Sequence, residues 1–486
     1  MTKQVLLGFM LGLGGCFGVY GQNYTGIEGS PFAGAMGVAN NPASILATPY
    51  KWDITILSTQ LKNSTNAVSF HNISYLSHPD TIAYKWTPGN IRRFAAVNYN
   101  LHLFNARFLL GRKQAISFGM NLQSYTAIRT GLTNYNDTLK NMNDFFFING
   151  PSTVYEARMA TSTWLELYAT YSRTILDNGY GRLNAGATLK GMRGLSGAFA
   201  QLKNGGINRN ALANGETLYN LLAGNFRYGY SANYDYWHDS LSTSKNIHDF
   251  FSHSQGGVAA DFGLEYLVKT QALKAPDDDD DDYWDYEWKF GVSLLDVGWN
   301  NYNYGTQSRS ASTPKSNITD VDLNKKFDNT GSLAQFNDSL GTIVDDFQTL
   351  TGQFKIWNPV RLVLNADRPL QDHFAVNANL TLNLGGNNKG KTFYTKEMTL
   401  LAVTPRWETR SLGGYLPLTV TTDGKVWLGA AFKAGPVIMG VHNLGTIFSK
   451  NKAQNGGFYL SFVIRPGKHK GGFTTKEDKQ YSCPKD

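Results

Sequence analysis

The chain has 486 residues, 17% of them charged and 13% aromatic, with 50 Gly and a formal net charge of +8 at pH 7. The charged fraction lies well below the roughly 25% of soluble domains, and a mean hydropathy of −0.32 excludes a polytopic helical membrane protein. No dense basic stretch carries the positive balance, so nucleic acid is not an expected partner. The length allows several ordinary domains or one large all-β domain.

Residues 1–21 read as a secretory signal: Lys3, an apolar run over residues 5–20, then Val19-Tyr20-Gly21 as a small-residue cleavage site. A weak lipobox, Leu13-Gly14-Gly15-Cys16, is the alternative and would make Cys16 a lipidated first residue. The run is short of the ~20 residues a spanning helix needs. With Cys16 removed, Cys483 is alone, so the exported fold is expected to rest on packing and hydrogen bonds without a disulfide. Residues 22–50 are rich in Gly, Ala, Asn and Pro, have no period, and precede a first strand at Trp52. A stretch of that size at a barrel mouth is expected to fold inward as a periplasmic plug.

From there the dominant period is two. Ala95, Val97, Tyr99, Leu101 and Leu103 alternate with Ala96, Asn98, Asn100 and His102, and Ile116, Phe118, Met120 and Leu122 alternate with Ser117, Gly119, Asn121 and Gln123. The pattern returns in residues 165–171, 183–189, 226–236, 258–268, 286–294, 374–384, 426–432 and 458–464. A step of 180° per residue sets one face in an apolar medium and the other in a polar one. Many of these segments are long enough for a tilted strand to cross a bilayer, and their polar faces suit a wet lumen. The expected fold is all-β, a closed antiparallel transmembrane β-barrel of about 14 strands (12–16); a soluble sandwich is the alternative. Aromatic clusters, such as Tyr228, Tyr230, Tyr234, Tyr236 and Trp237, or Trp284, Tyr286, Trp288 and Trp299, read either as interfacial girdles or as ordinary cross-strand pairs.

Long connections are expected at about 126–163, 195–225, 270–285 and 300–353. The last two flank a single strand, so either 270–285 faces the periplasm or the 300s hide a strand pair. Residues 51–465 are thus assigned to the barrel, and 466–486 to a hydrophilic tail.

Motifs that carry chemistry mostly fail on context. Gly385-Gly386-Asn387-Asn388-Lys389-Gly390-Lys391-Thr392 matches a phosphate loop, but a strand rather than a helix is expected to follow, which leaves a hairpin turn. Asp277, Asp278, Asp279, Asp280, Asp281 and Asp282 form an acidic run that could attract cations, although a solvated, self-repelling loop explains it as well. His238, His248 and His253 lack zinc spacing. Glu166 lies between Leu165 and Leu167 and by alternation is expected to line the lumen. No catalytic residue, cofactor or metal site is expected.

The segment from Gly34 to Ser44, with Asn40-Asn41-Pro42-Ala43 at its centre, followed by Trp52-Asp53, resembles the N-terminal signature of uncharacterised Bacteroidota-type outer-membrane β-barrel proteins. Asp261-Phe262-Gly263-Leu264-Glu265-Tyr266, the stretch from Lys289 to Gly298, Thr404-Pro405-Arg406-Trp407-Glu408 and Gly435-Pro436-Val437-Ile438-Met439-Gly440 fit the same pattern. Asn41-Pro42-Ala43 is also similar to the hatch signature of fatty-acid-transporter (FadL-like) barrels, although the same residues would make a capped turn before the first strand. The resemblance implies a barrel with Asn40, Asn41, Pro42 and Ala43 as hatch residues, set in a Gram-negative outer membrane and in contact with its lipid. The function it suggests is passive passage of small hydrophobic compounds. The alternative is a non-transporting structural or accessory barrel of a secretion, gliding or surface-assembly complex.

Overall fold

The computed structural model describes residues 26–71, 83–111, 113–135, 139, 142–149, 154–213, 215–269, 286–327, 330–386, 391–448 and 453–466. The expected leader, the acidic run Asp277 to Asp282 and all but the first residue of the 466–486 tail lie outside these. Fourteen strands form the wall. They are β1 (Trp52–Thr65), β2 (Gly89–Gly111), β3 (Gln114–Tyr135), β4 (Tyr155–Asp177), β5 (Gly181–Ala211), β6 (Gln255–Val268) and β7 (Trp288–Asn303). The circuit continues with β8 (Gln353–Trp357 and Arg361–Pro369), β9 (Phe374–Asn383), β10 (Leu400–Glu408), β11 (Leu412–Tyr415 and Leu418–Thr421), β12 (Val426–Leu428 and Ala430–Ala434), β13 (Val437–Val441) and β14 (Phe458–Ile464). Each pairs antiparallel with its neighbour, and β1 closes the ring by pairing with both β2 (Trp52↔Phe108) and β14 (Ile54↔Ile464). Closure leaves the wall without an unpaired edge. No described helix is long and apolar enough to cross a membrane.

Alternation decides which side chains face where. In β10, Leu401, Val403 and Trp407 are exposed on the outside while Leu400, Ala402, Thr404, Arg406 and Glu408 are buried inside. The same outward belt runs through Leu167, Leu189, Phe262, Val292, Leu418 and Phe432. The start of β1, the end of β14 and the short turns at 177–181, 369–374, 408–412 and 434–437 share one end of the barrel, called here the terminal end. At the last of these Gly435 has φ 57°, a left-handed conformation that glycine adopts without penalty.

Two of the expected loops are corrected, and a third contains the strand pair that was one of its expected alternatives. Strand pairing continues through much of 126–163, with Thr126↔Thr161 and Thr130↔Ala157 in register, so only 136–154 separates β3 from β4. Hydroxyl pairs, Ser124 with Thr163 and Thr126 with Thr161, bridge the two strands, so the polar sequence here does not interrupt the pairing. Likewise β5 runs through 195–211 and returns as the strand Thr217–Tyr230, which ends before the expected 236 in a 3-10 turn, Ala232–Tyr236. The 300–353 region hides a strand pair, Arg309–Pro314 with Val344–Thr349, and two helices, Asp320–Phe327 and Leu333–Thr342. Residues 270–285 lie outside the described residues; the strand ends that flank them, Val268 and Trp288, are at the terminal end.

These far-end pieces form an annex with its own apolar core: Tyr219, Tyr228, Ile318, Leu323, Phe327 and Leu340 are all buried there. Tyr228 therefore belongs to that core and not to a girdle. Tyr286 likewise points inward, where its hydroxyl donates to Asp367.

Candidate functional site in the barrel lumen

Residues 26–50 are bonded to inward side chains from all around the ring. Two short 3-10 helices, Gly34–Ala39 and Pro42–Leu46, give the segment its shape. Asn41 caps the second one: its Oδ1 accepts from Ala43 N at 2.9 Å, and Pro42 follows at the first helical position, where its missing N–H costs nothing. The other end of the same amide, Nδ2, donates to Leu264 O of β6 at 2.9 Å. Asn41 thus shapes the segment and hooks it to the wall.

The wall answers the segment's free carbonyls with donors. Ser172 Oγ donates to Pro42 O and Ser293 Oγ to Asn40 O, both at 2.6 Å. Arg361 reaches Ala39 O, Arg107 reaches Ile45 O and Lys289 reaches Gly29 O. In return Ala35 N donates to Asp53, and Ser30 Oγ to Glu408. Apolar contacts complete the seat: Ile27, Ala33 and Met36 pack on Tyr415, Ile438 and Val463, and Val38, Ile45 and Leu46 on Ala115 and Tyr168.

Glycines make the room. Gly186 and Gly263 are partners across β5 and β6. A Cβ at Gly186 would lie 2.6 Å from Ala43 N, and one at Gly263 2.0 Å from Asn41 Oδ1 and 2.9 Å from Pro42 Cδ. One at Gly291 of β7 would sit 3.0 Å from Asn41 Nδ2. Three adjacent strands thus give up side chains where Asn41-Pro42-Ala43 docks. Sequence reasoning missed this cradle, although an isolated Gly inside a strand is a sign of close backbone approach.

Around the segment lie buried ion clusters. Lys190 Nζ sits 2.8 Å from Asp261 and 2.5 Å from Asp296, and Arg361 sits 2.8 Å from Asp296. Asp296 occupies a bulge in β7, at φ 59°, and its N–H donates to Asp261. Nearer the terminal end Arg406 forks onto Asp367 and also pairs with Glu408, while Arg107 pairs with Asp53. Glu166 is buried and accepts from Asn121, Gln123 and Trp164. Burial pushes the Glu28 carboxyl from 4.5 up to about 7, against the pull of Lys62, the Asn379 amide and Arg361.

A second stretch enters from the far end. Thr392–Tyr394 forms a short strand parallel to Lys355–Trp357, where a phosphate loop would need a helix. Phe393 stacks on Phe199 at 3.7 Å, and Glu397 binds Lys62 at 2.7 Å. Two small spaces lie among the described residues beside the segment, one of about 40 Å³ next to Glu28, Asn41, Glu265 and Lys289, and one of about 20 Å³ next to His102, Glu166, Lys190 and Arg361. Each has room for one or a few waters. His238, His248 and His253 do not converge, and no described group of three or more His, Cys, Asp or Glu is placed to hold a metal.

A model described as a family of unknown function, DUF5723, matches residues 42–441. No curated protein matches the chain. Among solved structures the chain is similar to a deletion mutant of the monoaromatic hydrocarbon channel TodX, at 10% identity and a TM-score of 0.39 over 88% of this chain and 97% of that one. It is similar to a Pseudomonas aeruginosa FadL homologue at 12% identity and a TM-score of 0.39, over 92% and 98%. The translocator domain of the Neisseria meningitidis autotransporter NalP matches at 8% identity and a TM-score of 0.27, over 85% and 88%.

Proposed function

The chain belongs to the family of unknown function DUF5723, and we propose, from the geometry of its own residues, that it is an outer-membrane channel or transporter in a closed state, with residues 26–50 as a removable plug. The membrane setting is supported by the closed ring and its apolar outer belt, since every backbone group in hydrocarbon needs a partner. The observation that carries the plug reading is the glycine cradle of Gly186, Gly263 and Gly291. It is a built seat in a wall that is already complete: each strand has its neighbours' backbone bonds without the segment, so the segment can leave without unpairing a strand. Asn40, Asn41, Pro42 and Ala43 are the hatch residues in this reading, and Glu166 part of the wall behind them. With the plug withdrawn, the passage would be lined by Arg107, Glu166, Lys190, Asp261 and Arg361, which suits small compounds bearing polar groups. The hydrophobic cargo suggested by the family resemblance is the competing substrate class.

Liposome swelling tests both. The full chain should admit a pentose slowly, and the Gly186→Val/Gly263→Val variant at least ten times faster, with no matching gain for an apolar dye. Equal and negligible rates for both proteins would overturn the channel reading; a gain for the dye alone would restore the hydrophobic cargo. A second reading, an accessory barrel in an envelope complex, is favoured by the annex, which has its own core and exposes Phe147 and Val321. Photo-crosslinking from position 321 in cells checks it, and recovery of uncrosslinked barrel alone would count against it.

A further inference from the structure

Between the strand Thr217–Tyr230 and β6 the chain makes an aromatic turn and a ten-residue helix, Thr243–Ser252. Ser242 caps the helix, its Oγ accepting from Lys245 N, and Asn246 ties it back to the backbone of His238. Phe250 packs edge-on to Tyr234 and Trp237, so helix and turn form one unit. The unit leaves a large apolar face uncovered: Trp237 is 45%, Ile247 47% and Phe251 40% exposed. Ile247 and Phe251 are one turn apart and share a face. Lys245 and Asp249, paired at 3.0 Å, occupy the opposite one.

The attachment of this unit says what covers that face. Arg193 of β5 donates to Phe251 O at 2.9 Å and to Ser254 Oγ at 2.6 Å. Arg193 is exposed on the outside of the wall, on the same parity as Leu189, which is 72% exposed, and pairs with Gly256, two residues from the outward Val258. From Leu183, near the terminal end, to Arg193 is roughly 33 Å along the strand, or about 25 Å of height at the usual tilt, the height of an apolar belt. The helix is therefore held at the belt's far rim, on the outer side of the wall, where an amphipathic helix has its apolar face against lipid.

We propose that helix Thr243–Ser252 and the turn before it lie on the outer-leaflet lipid surface, with Trp237, Ile247 and Phe251 at the boundary of headgroups and acyl chains. The inference rests on the transmembrane reading above. Its consequence is a collar on one side of the barrel that sets its depth and orients the annex over the neighbouring lipid.

The test uses the full chain with both native cysteines replaced by serine and one cysteine at a time carrying an environment-sensitive fluorophore, from Phe251→Cys, Phe262→Cys or Lys325→Cys. Phe262 is outward-facing and pairs with Ala187, about midway down the belt. The proteins are reconstituted into vesicles holding lipids with quenchers near the headgroup or deep in the acyl chain. The label at 251 should be quenched at least threefold more by the shallow quencher than by the deep one. At 262 the order should reverse, and the label on the annex at 325 should respond only to aqueous iodide. A label at 251 that behaves like the one at 325, with 262 still quenched deeply, would overturn the collar alone. Aqueous behaviour at 262 as well would overturn the transmembrane reading and the collar with it.

Discussion

Along the single strand β5, Leu189 stands 72% exposed on the outer wall while Leu202, farther up, packs against the core of the annex. Within the wall the chain turns Leu, Val and Phe outward and buries Asn, Ser, Lys, Arg and Asp inside; in the annex the apolar residues go in and the polar ones out. The difference follows from what surrounds each region. In the membrane reading proposed above, the wall faces lipid, so its interior takes the polar face and is satisfied by ion pairs and donors, whereas the annex stands clear of the bilayer and folds by ordinary apolar burial. The lumen thus gains specificity from paired polar groups, each costly to leave alone, and the annex gains stability from area.

The largest expected effect breaks the lumen side of this contrast. Gly186→Val with Gly263→Val puts side chains where Pro42, Asn41 and Ala43 sit, and should expel residues 26–50 while the ring stays closed. Limited proteolysis should then cut within 26–50 with the barrel still folded by heat-modifiable mobility; a protected segment would contradict the seat. Arg406→Met leaves Asp367 and Glu408 buried without their cation, at a cost of about 3–5 kcal/mol, read as a lowered urea midpoint in micelles. A variant as stable as the parent would show that water reaches that cluster.

On the annex side, Leu323→Ala removes a fully buried side chain and should cost about 2–5 kcal/mol of local stability. Cleavage within 309–349 should rise without a change in the barrel's own unfolding. If the barrel melts with it, the two cores are not independent.

The smallest effect is a pH dependence of plug seating. Because burial holds the Glu28 pKa at about 7 against an ordinary 4.5, the docked state binds a proton that the released state does not. Its contribution is complete below about 4.5 and is lost as pH rises through about 7. Reactivity of a Ser44→Cys thiol, corrected for its own ionisation, should rise by roughly tenfold or more between pH 5 and pH 8, and Glu28→Gln should flatten the profile. A flat profile in the parent would mean that Glu28 is already solvated.

What the sequence by itself determined is the wall. Alternation is a local property, repeated along each strand, and it is enough to predict a closed all-β barrel of about 14 strands. It stops being readable toward the far end, where β3, β4 and β5 keep their backbone pairing but lose the contrast between odd and even positions, as water on both faces would produce under the membrane reading, so strand reads there as loop. The seat around Asn41 was decided only in three dimensions. Gly186, Gly263 and Gly291 come from three different strands, and each is an unremarked glycine until pairing sets them side by side opposite a segment more than a hundred residues away. The same holds for Lys190, Asp261, Asp296 and Arg361, whose charges have meaning only once the ring has brought them within 3 Å of one another.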